Sequence, residues 1–206
     1  DSKDDTLNII GKYKKYITKV ISEKDKGIYY ALNKGVSNAS GNIIGFLHSD
    51  DRYYSGDIIE QVVDSFKNEE LDCVIGDLII INPKNQKTVR HYRGSSKPAY
   101  FFSMGIMPPH PTVFLKKTVY DQFGNFNIKY KIASDYDLLF RFIVKNKIKY
   151  KYIPKIFISM NEGGLSTKSY LAKLFINFEI FKIHKYYGYS INPFKKLYYR
   201  LLEYNS

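Results

Sequence analysis

Ser22-Glu23-Lys24-Asp25-Lys26-Gly27-Ile28-Tyr29-Tyr30-Ala31-Leu32-Asn33-Lys34-Gly35 opens the stretch whose reading decides the fold, and Ile43-Ile44-Gly45-Phe46-Leu47-His48-Ser49-Asp50-Asp51 closes it. The first half turns at Gly27 into a helical pattern that runs to Asn38, with Ile28, Ala31, Leu32 and Val36 expected to face inward. The second half is an apolar run ending in two adjacent carboxylates. Ile17 to Ile21, just upstream, reads as a short strand, so strand, helix and strand make a βαβ unit with a right-handed crossover. Ligands of open α/β sheets bind at the carboxyl ends of such strands. Two neighbouring carboxylates keep their charge most easily beside a cation, and Mg²⁺ or Mn²⁺ bound by one or two carboxylates suits the pair. An acidic turn before a helix capped by Ser55 is the plainer alternative for Asp50 and Asp51 taken alone.

The residues before that pair decide between the two. Glu23, Asp25-Lys26-Gly27-Ile28-Tyr29, Ala31, Asn33-Lys34-Gly35, Ala39, Gly41, Phe46-Leu47 and Ser49-Asp50-Asp51 together resemble the nucleotide-sugar half of the family 2 glycosyltransferases. The likeness extends from residue 1 to about Ser166 and is greatest to the single-transfer enzymes of bacterial surface-polysaccharide assembly. It implies an inverting enzyme of GT-A fold: an α/β, Rossmann-like, mixed but mainly parallel sheet flanked by helices. Asp51 falls where that family holds the metal bridging the donor diphosphate, and Asp50 where it reaches toward the ribose. Asp25, Lys26 and Asn33 fall in the donor-binding segment; from the pattern alone, Asp25 and Lys26 sit on a loop at the carboxyl edge of the sheet, which a solvated loop explains equally. His48 and Tyr30 depart from the family, each standing where many members carry Asp. The first departure leaves Asp51 as the main metal ligand.

Asp1-Ser2-Lys3-Asp4-Asp5-Thr6 resembles the end of the family's first turn, with Ser2 or Asp4 as a helix cap. The resemblance implies that the first strand, with the Asp that contacts the base, lies upstream. Helical spacing follows at Leu7, Ile9, Ile10 and Tyr13. Ser55 to Asn68 is an amphipathic helix with Ile58, Ile59, Val62, Val63 and Phe66 as its buried stripe. Leu71 to Ile81 is an apolar strand interrupted at Gly76-Asp77, and Thr88 to Arg93 returns beside it after a turn at Pro83 to Gln86.

His110 precedes the strand-like Thr112-Val113-Phe114, where the family places a His beside the acceptor cleft; a structural His is the competing reading. Ile132-Ala133-Ser134-Asp135-Tyr136-Asp137 forms the second chemical centre. Ser134 reads as a helix cap with Asp135 in the first turn, where a carboxylate complements the helix N-terminus. The resemblance implies more: Asp135 takes the place of the catalytic base. Lys149 to Met160 reads as a strand broken by Pro154. Gly163, Gly164 and Ser166 resemble the family's flexible loop near the site, against the alternative of a plain turn.

Composition bounds the rest. The chain has 206 residues and a net charge of +12, with 20 Tyr, 14 Phe and no Trp. A basic, aromatic surface suits nucleic acid, an anionic membrane or a phosphorylated donor. Zinc-ligand spacing, RNP-like runs and P-loops are missing from the sequence, which argues against nucleic acid. No apolar run is long enough to cross a bilayer. Processive synthases of the family carry membrane spans and an Arg-Trp motif, so the resemblance implies one transfer per encounter. Cys73 is the single cysteine, in keeping with a reducing compartment, and the expected location is cytoplasmic or peripheral on the inner face of the membrane. The domain is expected to occupy residues 1–166. Residues 167–206 form a basic aromatic tail, helix-like over Tyr170 to Tyr187 and Pro193 to Tyr204, that could pack on the domain, pair with a second subunit as a homodimer, or lie on an anionic membrane.

Expected partners are therefore a nucleotide-sugar donor, UDP- or dTDP-linked, and a saccharide or lipid-linked acceptor. A nucleotidyltransferase, or an inactive nucleotide-binding module, would also fit a metal-carboxylate site on such a sheet.

Overall fold

A computed structural model describes residues 2–162 and 170–192. Thr6–Lys12 forms α1, followed by a 3₁₀ turn at Lys14–Tyr16. Ile17 to Ile21 joins no strand ladder, and Val20 and Ile21 remain exposed. Helix α2 spans Ile28–Asn38, β1 only Ile43–Ile44, β2 Asp51–Tyr53 and α3 Ile58–Asn68. Then come β3 (Cys73–Ile81), β4 (Thr88–Tyr92), α4 (Pro98–Ser103), a 3₁₀ turn at His110–Thr112, β5 (Val113–Lys116) and α5 (Lys117–Phe123). Helix α6 (Ser134–Leu139) continues as a π-helical turn through Phe140–Lys145, before β6 (Tyr150–Asn161) and α7 (Tyr170–Tyr187).

The sheet order is β1-β5-β3-β6-β2, with β4 also on β3. Only β3 and β6 run parallel among the described residues; β1–β5, β2–β6, β3–β4 and β3–β5 are antiparallel. The sheet is thus mostly antiparallel, which corrects the mainly parallel one expected. The reason lies in pairing partners. The expected parallel unit needed Ile17 to Ile21 as a strand, and β1 instead pairs with the returning β5. The β3–β4 hairpin adds a second antiparallel edge.

β3 organises the packing, since its neighbours alternate between two layers as a pleated strand requires. Cys73 and Ile75 enter a core with α2, α5, α6 and α7, whereas Val74 and Leu78 meet Ile58 and Val62 of α3 on the other face. At Gly76-Asp77 the β3–β6 register shifts. A Cβ on Gly76 would collide with the Phe157 ring, so the missing side chain permits that approach. Pro154 lies in the same irregular part of β6, where its missing N–H costs no ladder bond.

Helix α2 is rotated from its expected face. Tyr29 and Val36 are buried, while Ile28 is 52% exposed. Tyr29 turns in because its hydroxyl donates to the Ile132 carbonyl. Helix α7 packs one face into the core through Ile180 and Ile183, and leaves Leu171, Leu174, Phe178, Phe181 and Tyr186 exposed on the other. The expected tail helix at Pro193 to Tyr204 lies outside the described residues.

Candidate active site

Asp51 begins β2 at the point where the chain leaves the His48-Ser49-Asp50 turn. Its N–H donates to the His48 carbonyl at 3.1 Å. Both carboxylate oxygens of Asp51 are buried and have no hydrogen-bond partner among the described residues. Burial holds its pKa above the usual carboxylate range, and the neighbouring Asp50 charge pushes the same way; His48 opposes both. A carboxylate deprived of water and donors is short of positive charge. Asp50 itself is exposed.

Strand pairing adds a residue that the sequence reading missed. Asp51 lies opposite Met160 on β6, so Asn161 follows directly beside the Asp50–Asp51 corner. The Asn161 Oδ1 is also buried and unpartnered among the described residues. No cluster of three or more His, Cys, Asp or Glu occurs among the described residues that could hold a metal alone. Carboxylate and amide oxygens are nevertheless the ligand type that a hard divalent cation takes, and a diphosphate and water would complete its shell. Only the β2–β6 register exposes Asn161 as a candidate, and register is a tertiary property.

A wall of rings leads from this corner to Asp135. His48 and His110 have ring centroids 6.3 Å apart, and Phe46 stacks on His110 at 5.5 Å. Phe126 meets His110 at 5.6 Å and Tyr29 at 5.7 Å. Tyr29 in turn places its hydroxyl 3.3 Å from Asp135 Oδ1. Burial, with the His48 charge beside it, lowers the His110 pKa to about 3, so its imidazole is neutral at physiological pH. The structure thus sets His110 in the wall between the two carboxylate centres, where packing explains it.

Asp135 occupies the first turn of α6, as the spacing predicts. Ser134, however, is not the cap: Ala133 holds that position, and the buried Ser134 hydroxyl has no partner among the described residues. Asp135 Oδ1 accepts the Tyr136 N–H at 2.8 Å. Desolvation outweighs these hydrogen bonds and pushes its pKa up to about 6. Such a group is ionised at neutral pH yet basic enough to take a proton, which is what a general base needs. Asp137, two residues on, faces away from that role. It is buried, accepts the Tyr187 hydroxyl at 3.1 Å and lies 3.7 Å from Arg141.

The remaining expected donor residues separate. Asp25 is ion-paired with Lys34 at 2.6 Å, and both line a cleft of about 520 Å³ between the 18–25 segment and α2. Asp51 and Asp135 are not in its lining. Lys26 is exposed. Asn33 uses its amide on backbone: Nδ2 donates to the Phe126 carbonyl and Oδ1 accepts the Phe126 N–H, both at 2.9 Å. Its action is to clamp α2 to the segment carrying Phe126. Gly163, Gly164 and Ser166 lie outside the described residues.

Residues 1–137 match the family described as Glycosyl transferase family 2. Among curated proteins, the chain is 27% identical over 183 residues to a PGL/p-HBAD biosynthesis glycosyltransferase of Mycobacterium bovis (strain BCG / Pasteur 1173P2), covering 84% of this chain and 69% of that protein. It is 29% identical over 158 residues to the chondroitin synthase of Pasteurella multocida, covering 75% of this chain but 16% of the synthase. Among solved structures, S. aureus TarS residues 1–349 in complex with UDP superposes with a TM-score of 0.59 at 16% identity, covering 95% of this chain and 56% of that one. A second TarS structure gives a TM-score of 0.61 at 15% identity over 34% of its chain. The chain therefore spans little more than half of the first of these structures.

Proposed function

The chain belongs to glycosyl transferase family 2, and we propose that it moves one sugar from a nucleotide-sugar donor to an acceptor hydroxyl with inversion at the anomeric carbon. The observation that carries the reading is the Asp51 carboxylate, with both oxygens buried and unpartnered among the described residues, at the end of the apolar run where the diphosphate is expected. Asp51, with Asn161 beside it, would hold Mn²⁺ or Mg²⁺. When bound, that cation neutralises charge on the departing diphosphate. Asp50, exposed at the same corner, would reach toward the donor's ribose, and Asp25 and Lys26 would meet the base or ribose from the loop before α2.

Asp135 supplies the base. The acceptor oxygen attacks C1 of the donor sugar as its proton passes to the Asp135 carboxylate. The bond from C1 to the diphosphate oxygen breaks, and the nucleoside diphosphate leaves with that electron pair. Attack from the face opposite the leaving group inverts C1. No covalent enzyme intermediate enters this sequence.

The donor's nucleotide, UDP or dTDP, remains part of the proposal, supported by the UDP-bound fold neighbour. The acceptor is a saccharide or a lipid-linked saccharide. No described helix is long and apolar enough to cross a membrane. The outer face of α7 combines exposed Phe178 and Phe181 with Lys182 and Lys185, a composition suited to peripheral contact with an anionic leaflet on the cytoplasmic side. Each basic residue near such a leaflet contributes about 1 kcal/mol.

A screen of sugar nucleotides with Mn²⁺, scored for sugar transfer and for donor hydrolysis, tests the activity. Release of nucleoside diphosphate from one donor, with an inverted product, is the expected result. Nucleotide binding without any turnover would replace the enzyme by a binding module, and release of pyrophosphate would replace it by a nucleotidyltransferase. Cosedimentation at low salt with vesicles of graded phosphatidylglycerol content tests the membrane contact; equal binding to neutral vesicles would remove it.

A further inference from the structure

We infer that Glu179 of α7 is a positioning residue for Asp135, an inference that rests on reading Asp135 as the base. Glu179 is 4% exposed. Its Oε1 accepts the Lys131 N–H at 2.8 Å, and its Oε2 accepts those of Ile132 at 3.0 Å and Ala133 at 2.9 Å. These three amides lead directly into Ser134-Asp135. Helix starts leave backbone N–H groups without partners, and a side chain at the cap usually serves them. Ala133 holds the cap here and has no side-chain oxygen to offer. A carboxylate 46 residues further along the chain from Ala133 gathers the amides of the cap residue and of the two before it, a set distinct from the helix's own first N–H groups.

The same loop is held from its other side. Tyr29 donates to the Ile132 carbonyl and reaches Asp135 Oδ1 at 3.3 Å. The N–H groups of Lys131, Ile132 and Ala133 are therefore held by α7 and the Ile132 carbonyl by α2, ending two residues before the one that bears the base. Two further bonds fasten α7 to α6: the Tyr136 hydroxyl with His184 Nε2 at 2.7 Å, and the Tyr187 hydroxyl to Asp137 at 3.1 Å. These hold the next two residues of that first turn, whereas Glu179 holds the three amides that lead into it. Glu179 also acts through space. After burial, its negative charge is a further cause that holds the Asp135 pKa up. Tyr29 and the Tyr136 N–H oppose it from α2 and from α6 itself.

Glu179→Gln keeps the size and removes the charge. Its amide nitrogen can only donate, so it faces an N–H and loses at least one of the three bonds. The expected result is a transfer kcat lowered about tenfold or more with donor KM unchanged, and an acid limb of the pH–rate profile moved to lower pH. Backbone hydrogen exchange at Lys131 to Ala133 should accelerate. Ile183→Ala, which loosens α7 without touching the amides, should lower Tm and leave the acid limb in place. A folded Glu179→Gln protein with wild-type kcat, wild-type acid limb and protected amides overturns the inference. If Glu179→Gln fails to fold, Glu179→Asp decides: charge kept and reach shortened, it should hold the acid limb while kcat falls, and unchanged kcat overturns the inference. Asp135→Asn run in parallel separates the two claims, because wild-type transfer in that variant removes the base reading itself.

Discussion

Asp51 and Asp135 are carboxylates at the start of regular elements on either side of one aromatic wall, and their surroundings are opposite. Asp51 has both oxygens buried without a donor among the described residues. Asp135 has donors on one oxygen, from Tyr136 and Tyr29, and still has its pKa raised to about 6. The first has no hydrogen-bond donor among the described residues, and in the proposed reading a cation from outside completes it. The second has a stable, oriented oxygen and an affinity for protons suited to exchange near neutrality. Burial raises the pKa of both groups. What separates the two in the proposed reading is whether the described residues supply hydrogen-bond donors.

The largest way to break this contrast is at the base. Asp135→Asn should lower transfer by on the order of 10²-fold or more while donor affinity stays near wild type. Steady-state and single-turnover rates with a binding titration would check it. The same variant should be at least as stable as wild type above pH 6. The sign follows from the raised pKa: the fold favours protonated Asp135, so the stability contribution is present at low pH and is lost as pH rises through about 6, whereas Asn never ionises. Thermal melts at pH 4 and pH 8 would show the larger gap at the higher pH.

Packing of α7 comes next in size. Ile183→Ala removes a fully buried side chain and should cost about 2–5 kcal/mol in denaturant unfolding. Phe181→Ala, on the exposed face of the same helix, should stay within about 0.5 kcal/mol. Equal losses would mean that the outer face is covered in solution. The smallest expected effect is a shape. In wild type, kcat should fall tenfold per pH unit below about pH 6 and be flat above it, since only ionised Asp135 accepts the proton. A limb that persists in Asp135→Asn would assign it to another group.

Much of this arrangement was readable from local pattern. The α3 stripe apart from Ile59, which is 44% exposed, the β3–β4 hairpin, the strand after His110 and the bounds of α7 follow from periodicity and turn residues. Asp135 in a first turn also follows from spacing. The failures share one cause, dependence on distant partners. Ile17 to Ile21 has strand-like residues, yet a strand exists only where another pairs with it. The face of α2 shifted because Tyr29 found a carbonyl 103 residues away. Asn33 looked available in the motif and is bonded to Phe126 on both sides of its amide. Glu179 lies in the stretch read as a basic aromatic tail, and nothing local marks it as the acceptor of three amides.

The central claim, that Asp51 takes the cation and Asp135 the proton, meets its most direct test in calorimetric titration of UDP with and without Mn²⁺ into wild type, Asp51→Asn and Asp135→Asn. The account predicts tighter UDP binding with Mn²⁺ in wild type and in Asp135→Asn, and no metal enhancement in Asp51→Asn. UDP affinity that is indifferent to Mn²⁺ in wild type, or enhancement that survives in Asp51→Asn, would contradict it.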